Sequence, residues 1–308
     1  MGELQTETRT QIVSKPREPQ LTVKDFKGKA DPDWCPGCGD FGVLNALKTA
    51  VAELGLLPHE VLTISGIGCS SNLPGYINTY GMHTLHGRAL AVATGAQLGN
   101  HQLKVVVTGG DGDGFGIGGN HFVHSMRRNV DLTYIVMDNQ IYGLTTGQVS
   151  PTSRKGMKTK STPFGSVENA INPIPLALAC GATYVARGFS GQQKHLVALI
   201  KGAIVHRGFA FVDVFSPCVT YNHENTHEFF KQRTRKLEEA GHDSGNLQAA
   251  FEQGSQWGET IPIGLFYKRD GVPALDELEP VLAEGPALAH RRLEVSPENA
   301  RALVEELL

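Results

Sequence analysis

The chain has 308 residues, a formal net charge of −3, 40% hydrophobic residues and 36 glycines, so it is long enough for one large core or two modest domains. This charge provides no global positive field for nucleic acid, and no local basic patch stands out, so we expect no nucleic-acid partner. The polar N-terminus lacks the apolar core of a secretory signal, and no apolar run is long enough to span a membrane, which predicts a cytoplasmic protein. Five cysteines, an odd number, favour metal or redox chemistry over a disulfide framework.

The predicted secondary structure alternates between helices and strands along the chain. Apolar residues recur at helical spacing over 40–54, where Gly55 is placed to end the helix, and a short apolar strand follows at 61–64. Further predicted elements, in chain order, are a helix at 88–98, a strand at 104–108, a helix at 120–128, a strand at 132–137, a helix at 174–179, a strand at 183–185, a helix at 193–207 and a strand at 209–215.

Continuous apolar strands that alternate with helices predict an α/β fold with a doubly wound, mostly parallel sheet and helices on both faces. Ligands in such sheets bind beyond the carboxyl ends of the strands. We predict three regions: an arm over 1–30 that could lie across a partner, a main domain over 31–230, and a C-terminal extension over 231–308 that packs on this domain or on a partner. The charged stretch from 227 to 239 is predicted to form a solvated helix.

Two predicted strands end in oxygen-bearing side chains that could hold a metal ion. Asp111 follows the strand at 104–108, and Asn139 follows the next strand, 28 residues further along the chain, a spacing compatible with a βαβ unit. With the backbone carbonyl of Ile141, they offer the oxygen ligands that Mg²⁺ prefers. Gly110 and Gly112 would let the backbone approach a diphosphate closely, and the N-terminus of the following helix would favour its negative charge. The sequence therefore predicts a magnesium-bridged diphosphate site.

The same glycine-rich turn leaves a second interpretation open. Gly114, Gly116 and Gly119 fit the spacing of a dinucleotide-binding turn. The paired acids Asp111 and Asp113 would repel bare phosphates unless a cation lies between them, which favours the metal-bridged diphosphate. The role of Asp113 itself stays open between a position near the phosphates and a cap on the following helix.

Four of the five cysteines lie in predicted loops: Cys35 and Cys38 in a CxxC turn, and Cys69 and Cys218 each after a strand. Four such thiolates match the ligand set of a four-iron cluster, although CxxC pairs also serve zinc sites and redox disulfides. Because Cys69 and Cys218 each follow a strand, a doubly wound sheet can bring these two to the same edge as the diphosphate. Cys180 lies on an apolar helical run and is interpreted as a small core residue.

The motifs around these residues resemble those of the β subunits of 2-oxoacid:ferredoxin oxidoreductases. They are WCPGCG at 34–39, GIGCS at 66–70, LHGR at 85–88, GDG at 110–112, NQIYGLT at 139–145 and SPC at 216–218. The resemblance implies that the domain 31–230 binds thiamine diphosphate, Mg²⁺ and one [4Fe–4S] cluster. It implies cluster ligation by Cys35, Cys38, Cys69 and Cys218, magnesium ligation by Asp111, Asn139 and Ile141, and cofactor contacts from Ser70, His86, Gly110, Gly112, Asp113, Gly143, Leu144 and Thr145.

The resemblance also implies a reaction: CoA-dependent oxidative decarboxylation of a 2-oxoacid, or the reverse reductive carboxylation, with CoA as co-substrate and His86 as the catalytic residue. The segment 76–88 is most like that of 2-oxoglutarate-type chains, so 2-oxoglutarate is favoured and pyruvate stays the alternative. We expect Asn72 and Arg88 to contact the substrate. Asn72 stands where some relatives carry a basic residue, and it adds no charge for a distal carboxylate.

No part of the sequence resembles the pyrimidine-binding half of thiamine enzymes, so the resemblance implies an α subunit that carries it. Ferredoxin would accept the electrons, and two α–β pairs would form a symmetric heterotetramer. Two other functions stay open: an electron-transfer subunit with a cluster but without thiamine, and a thiamine-dependent decarboxylase with zinc in place of the cluster.

Two histidine-containing segments carry further interpretations. The sequence HENTH at 223–227 fits HExxH, which on a helix would offer two histidines to zinc and Glu224 as a base. No third ligand is evident, so a zinc protease is disfavoured. For His83, a structural hydrogen bond and a role in the site stay equally open.

Overall fold

The structure, a computed structural model, describes residues 21–292 and 294–307. Its strands are β1 (Val61–Ser65), β2 (Tyr80–His83), β3 (Lys104–Gly110), β4 (Leu132–Asp138), β5 (Tyr184–Phe189), β6 (Phe209–Phe215), β7 (Thr234–Lys236) and β8 (Ile261–Lys268). They form one sheet in the order β2-β1-β3-β4-β6-β5-β8-β7. Neighbouring strands run parallel except β5 and β8, which run antiparallel.

The α-helices connect and cover these strands. They are α1 (Asp40–Glu53), α2 (Ala89–Gly99), α3 (Gly119–Arg127), α4 (Pro173–Ala179), α5 (Gln193–Val205), α6 (His227–Arg233), α7 (Leu247–Gly254), α8 (Leu275–Leu278), α9 (Pro280–Ala283) and α10 (Pro297–Glu305). Side-chain oxygens of Asn172, Thr226 and Asn246 accept hydrogen bonds from the first turns of α4, α6 and α7, which satisfies backbone N–H groups left free at a helix start. Within residues 21–292 and 294–307, no helix combines the length and the apolar character needed to cross a membrane.

Helices lie on both faces of the sheet, because successive strand side chains point to opposite sides. On one face, Val106 and Val212 pack with apolar residues of α1 and α5. On the other face, Val107 and Phe211 pack with α2, α3, α4 and α7. Burial on both faces explains why these strands are apolar at nearly every position. The predicted doubly wound, mostly parallel α/β fold is confirmed.

The elements predicted between 40 and 138 are present with ends shifted by at most two residues. The strand predicted at 183–185 extends instead to Phe189, because the buried Arg187 is paired within the sheet. The helix predicted over 227–239 is wrong beyond Arg233, where the chain becomes β7 and pairs with β8. Thr234 and Leu237 are buried and Arg235 between them is exposed, and backbone pairing with β8 rather than a pattern of side chains defines this short strand.

The arm predicted over 1–30 lies outside the described residues as far as residue 20. From residue 21 onward the chain packs on the body of the protein. Phe26 is fully buried, and its carbonyl accepts a hydrogen bond from the N–H of Asn78 at 3.0 Å. The segment that leads into the CxxC turn is therefore fixed against the loop before β2.

Candidate active site

Loops that follow β1, β3, β4 and β6 meet at one edge of the sheet. These four strands are adjacent and parallel, so their carboxyl ends lie side by side. Each loop carries residues predicted from sequence to bind a cofactor: Cys69 after β1, Asp111 after β3, Asn139 after β4 and Cys218 after β6. The ligand-binding edge expected of a doubly wound sheet is therefore the edge that carries the motifs.

Asp111 is buried directly at the end of β3, with 1% of its surface exposed. Burial raises its pKa to about 6, against hydrogen bonds that lower it. The Thr152 hydroxyl lies 2.6 Å from Oδ2 of Asp111 and 2.9 Å from Oδ1 of Asp138. Burial and then the charge of Asp111 raise the pKa of Asp138, and the Thr152 hydroxyl, within hydrogen-bond distance of both carboxyls, links Asp138 to Asp111. A cation would favour the ionised form of Asp111 that magnesium ligation requires.

The segment from Asn139 to Gly143 lies between the predicted metal site and the cysteines. The side-chain Oδ1 of Asn139 accepts a hydrogen bond from the N–H of Ile141 at 3.0 Å, which bends the chain after β4. A Cβ placed on Gly143 would lie 3.6 Å from Sγ of Cys69, 3.8 Å from Sγ of Cys218 and 4.0 Å from Nδ2 of Asn139. The backbone at Gly143 thus brings two predicted cluster ligands and one predicted magnesium ligand within contact of the same point.

Asp113 uses its carboxylate to join two other loops. Its Oδ1 accepts hydrogen bonds from the N–H of Ile67 at 2.9 Å and of Gly87 at 2.7 Å, and it lies 2.7 Å from Nδ1 of His86. A Cβ at Gly66 would lie 1.9 Å from the other carboxylate oxygen, so only glycine fits there. The sequence left two roles open for Asp113, a position near the phosphates and a cap on the following helix. These partners do not fit a cap, because they belong to the loops after β1 and before α2 rather than to the helix that follows Asp113.

His86 is oriented by this carboxylate. With Nδ1 as the donor to Asp113, the neutral ring leaves Nε2 as an acceptor. Its side chain is 39% exposed, and the ring meets Tyr142 edge-on with centroids 6.4 Å apart. His86 is therefore held in place and still accessible, as a residue that exchanges a proton with a ligand must be.

A small cavity of about 110 Å³ opens between these loops. Its lining contains the magnesium ligands predicted from sequence and the predicted cofactor contacts. These are Ser70, His86, Gly110, Asp111, Gly112, Asp113, Asn139, Ile141, Gly143, Leu144 and Thr145, together with Cys69. The fold thus brings together four separate sequence motifs around one opening.

The predicted substrate contacts lie outside that lining. Asn72 is half-buried, and its Nδ2 lies 3.4 Å from Oδ1 of Asp33. Arg88 is exposed at the start of α2, next to the loop that carries His86. Contact of either residue with substrate stays a prediction.

Hydrogen bonds tie the three cysteine-bearing loops together. In the CxxC turn, the N–H of Cys38 donates to the carbonyl of Cys35 at 3.0 Å. The indole N–H of Trp34 donates to the carbonyl of Cys69 at 2.7 Å, and the N–H of Gly39 donates to the carbonyl of Pro217 at 3.1 Å. The turn is therefore fixed to both of the loops that carry the single cysteines.

The thiols lie close enough to affect one another. Burial, followed by the charge of Asp40, raises the pKa of Cys38 above its usual range and that of Cys69 to about 11, with smaller contributions from Cys218. Such thiols are protonated at neutral pH unless a cation stabilises the thiolates. Among the described residues, no three His, Cys, Asp or Glu side chains are grouped as ligands of a single metal ion.

The two histidine-containing segments have structural partners. His223 lies in a loop, and α6 begins only at His227, so the HExxH segment lacks the helical geometry of a zinc protease. Nε2 of His227 lies 2.9 Å from the carbonyl of Gly37 in the CxxC turn, and Glu224 pairs with Arg154. Nδ1 of His83 lies 2.9 Å from the Ser65 hydroxyl, which is the structural hydrogen bond considered above.

Sequence reasoning missed two residues that hold the site. Thr152 links two buried carboxyls from an irregular segment, and Asn222 donates from Nδ2 to the carbonyl of Asn139 at 2.9 Å. Asn222 also accepts hydrogen bonds from the N–H groups of Glu224 and Asn225. A short polar side chain directly after a cysteine loop is a signal for such a turn, but nothing local indicates its partner in another loop.

Comparisons with known proteins agree with this geometry. Residues 66–214 match the family described as thiamine pyrophosphate enzyme, C-terminal TPP binding domain, and residues 218–284 match the family that describes the C-terminal part of the pyruvate ferredoxin oxidoreductase beta subunit. The chain is 48% identical over 272 residues to the beta subunit of 2-oxoacid:ferredoxin oxidoreductase 1 of Aeropyrum pernix, covering 85% of each chain. It is 47% identical over 199 residues to the 2-oxoglutarate oxidoreductase subunit KorB of Mycobacterium tuberculosis, covering 65% of this chain and 53% of that one.

A solved structure is similar over nearly the whole chain. It is the 2-oxoglutarate:ferredoxin oxidoreductase from Magnetococcus marinus with 2-oxoglutarate, coenzyme A and succinyl-CoA bound, with a TM-score of 0.85 and 45% identity over 93% of this chain and 97% of that one. Identity and coverage at this level, together with the sheet-edge site, are decisive. The chain belongs to the β subunits of the 2-oxoacid:ferredoxin oxidoreductases.

Proposed function

We propose that this chain is the thiamine diphosphate-binding and cluster-binding subunit of an enzyme that oxidatively decarboxylates 2-oxoglutarate with CoA and passes the electrons to ferredoxin, or runs the reverse reductive carboxylation. The observation that carries the proposal is the convergence at Gly143 of the Cys69 and Cys218 thiols with the Asn139 amide. A decarboxylation site and an electron acceptor must be close for electrons to leave the substrate one at a time.

The residues present fit thiamine diphosphate with its magnesium ion. Asp111, Asn139 and the carbonyl of Ile141 would hold Mg²⁺, and Gly110 and Gly112 leave space for phosphates. A Cβ at Gly112 would lie 2.1 Å from the Tyr142 ring, so this close approach needs glycine. When bound, thiamine diphosphate supplies a centre that stabilises the carbanion left by decarboxylation, and the cluster supplies one-electron acceptance.

His86 is the residue best placed to move a proton at this site. Asp113 accepts from its Nδ1, which fixes the ring and leaves Nε2 to hold or deliver a proton at the opening of the cavity. The same carboxylate fixes the N–H groups of Ile67 and Gly87. Asp113 therefore acts through His86 and the two loops rather than as a ligand of the metal.

The cysteines fit one [4Fe–4S] cluster. Cys35, Cys38, Cys69 and Cys218 lie in three loops that hydrogen bonds hold together, which would keep the four ligands of one cluster in position. Thiols kept reduced for iron ligation fit a cytoplasmic location, which we include in the proposal.

The substrate is assigned from the relatives. The Mycobacterium tuberculosis KorB chain is a subunit of a 2-oxoglutarate oxidoreductase, and the Magnetococcus marinus structure holds 2-oxoglutarate and CoA. Arg88 is the exposed cation nearest His86 in sequence, and it can pair with the distal carboxylate of 2-oxoglutarate, which pyruvate lacks. Pyruvate is the second candidate, because Asn72 adds no charge and already contacts Asp33.

The small size of the site supports the assignment of an α partner. A cavity of about 110 Å³ is small beside the ~300–1,000 Å³ of typical ligand pockets, so this chain holds only part of the cofactor. We propose that an α subunit supplies the pyrimidine-binding half, that ferredoxin accepts the electrons, and that two α–β pairs associate.

The test is anaerobic co-purification with the α subunit, followed by iron and thiamine assays and ferredoxin reduction with CoA and either 2-oxoacid. We expect iron, thiamine and faster turnover of 2-oxoglutarate. Iron without thiamine would indicate an electron-transfer subunit instead, thiamine with zinc would indicate a decarboxylase, and faster turnover of pyruvate would reverse the substrate assignment.

Three variants separate the two cofactors. Asp111→Ala should lose thiamine and keep iron, and Cys218→Ser should lose iron and keep thiamine. Cys180→Ser is the matched control, because Cys180 packs against the apolar core beside α4 and should keep both. Loss of iron in Cys180→Ser but not in Cys218→Ser would contradict the ligand assignment.

A further inference from the structure

A second and larger cavity of about 630 Å³ lies beside the carboxyl ends of β4 and β5. It shares no lining residue with the small cavity around Asp111. It does contain Asp138 and Thr152, and the Thr152 hydroxyl reaches Asp111. The large cavity is thus a separate space that adjoins the magnesium site through one hydrogen-bonded link.

Arg187 lines this cavity and is itself buried, with 1% of its surface exposed. It lies opposite Asp213 in the β5–β6 register, with Nε 2.9 Å from Oδ2, and its Nη2 donates to Oδ1 of Asn172 at 3.1 Å. Among the described residues, Nη1 has no hydrogen-bond partner. A buried guanidinium with a spare donor costs free energy unless a ligand accepts from it, and carboxylates and phosphates are its preferred acceptors.

Two more cations of the lining lack a carboxylate partner within residues 21–292 and 294–307: Lys155 and Arg233. Arg154 pairs with Glu224, which neutralises both. Of the other acids of the lining, Asp138 already accepts from Thr152 and from the N–H of Gln140, and Glu259 is exposed. The cavity therefore offers free cations and a spare buried donor to an anion with several charges.

The same cavity carries flat aromatic surface. Trp257 is 47% exposed and is supported from behind by Phe215, edge-on with ring centroids 5.7 Å apart. Phe229 is half-buried, and the Arg233 guanidinium lies 4.3 Å from its ring centroid. An exposed indole held at a fixed angle is suited to stack on a planar base, with a cation nearby for its phosphates.

We propose that this cavity binds a nucleotide carrying several phosphates, with its base against Trp257 and its phosphates at Lys155, Arg187 and Arg233. The proposal rests on the proposed function in one respect, because CoA, the co-substrate of that reaction, carries such a nucleotide end. A free nucleotide acting as an effector shares the same chemistry. Binding of either nucleotide would affect the magnesium site through the hydrogen bonds that join Asp138, Thr152 and Asp111.

The test uses the complex with the α subunit and calorimetric titration with adenosine 3′,5′-bisphosphate, the nucleotide end of CoA without its phosphopantetheine arm. The variants are Lys155→Gln and Arg233→Gln, and the matched control is Arg235→Gln, an exposed arginine outside the cavity. We expect saturable binding to the parent and the control, weakened about tenfold or more in each cavity variant, as the loss of a charge-assisted contact predicts.

Steady-state kinetics with CoA then identifies the source of the nucleotide. A raised KM for CoA in Arg233→Gln, with the KM for the 2-oxoacid as in Arg235→Gln, assigns the cavity to CoA. Lost titration signal with an unchanged KM for CoA assigns it to a free nucleotide. Absence of binding to the parent, or equal binding to Arg233→Gln, Lys155→Gln and the control, overturns the proposal.

The titration does not depend on turnover. A complex that oxidises no 2-oxoacid but binds the bisphosphate would refute the proposed function and leave the cavity assignment standing. An active complex that binds no bisphosphate would refute only the cavity assignment.

Discussion

Replacing Gly66 with alanine tests the contact that holds the loops of the thiamine site together. The new Cβ would lie 1.9 Å from Oδ2 and 2.6 Å from Oδ1 of Asp113, so the carboxylate must turn away. It would then lose its hydrogen bonds to the N–H groups of Ile67 and Gly87. Each hydrogen bond to a charged group contributes about 1.5–3 kcal/mol. The expected loss of unfolding free energy is therefore about 3–6 kcal/mol, a large part of the ~5–15 kcal/mol typical of a folded protein.

Urea unfolding of the purified chain measures this loss, and titration of the complex with the α subunit with thiamine diphosphate and Mg²⁺ measures the effect on the site. The control is Gly95→Ala on the exposed side of α2, where no atom lies within 4 Å of the new Cβ. That variant should gain up to about 1 kcal/mol, because alanine favours a helix more than glycine does. If Gly66→Ala unfolds within about 1 kcal/mol of the parent and binds thiamine normally, Asp113 does not hold these loops.

Three further substitutions test other buried contacts. Thr152→Val removes the hydroxyl between Asp111 and Asp138 and should weaken magnesium-dependent thiamine binding about tenfold. Thr152→Ser keeps a hydroxyl and should bind thiamine normally. An equal loss of binding in both variants would exclude the hydroxyl as the cause. Arg187→Met leaves Asp213 buried without its partner and should cost about 3–5 kcal/mol of stability in thermal unfolding, and Arg187→Met combined with Asp213→Leu should recover most of it. Burial lowers the pKa of His206 from 6.5, so the stabilising contribution of the neutral ring is present above pH 6.5 and is lost as the pH falls towards the lower folded pKa. His206→Gln should flatten the fall of unfolding free energy in this pH range. An unchanged profile would show that other groups cause this fall.

The candidate metal and cluster ligands could be proposed from the sequence because residue type and position indicate their chemistry. Asp111 and Asn139 follow apolar strands, and in a parallel sheet such positions share one edge. Cys69 and Cys218 are recognisable for the same reason, because each follows a strand, and Cys35 and Cys38 are recognisable as a CxxC pair. The spacing of these residues in the sequence does not show that they lie close together. The structure shows that the thiols of Cys69 and Cys218 and the amide of Asn139 all lie near Gly143.

The contacts that hold the site could not be predicted in the same way. Thr152 and Asn222 are short polar side chains in irregular segments, and each acts on a loop elsewhere in the chain. Such hydrogen bonds produce no periodic pattern in the sequence, because each one joins two single residues far apart in the chain. The strand β2 escaped prediction for a related reason: its side chains are exposed, so it lacks apolar alternation and is defined only by backbone pairing with β1.

Gly143 lies beside the thiols of Cys69 and Cys218, and its own backbone does not demand a glycine. It does not adopt a positive φ, so conformational freedom does not explain it. A Cβ there would also make only ordinary contacts with Cys69 and Cys218, at 3.6 Å and 3.8 Å. The space that a side chain would fill is the space between the thiols, which the iron and sulfide of a cluster would occupy. If the proposed cluster lies there, a glycine at this position would leave its space free and let the Asn139 segment approach it closely.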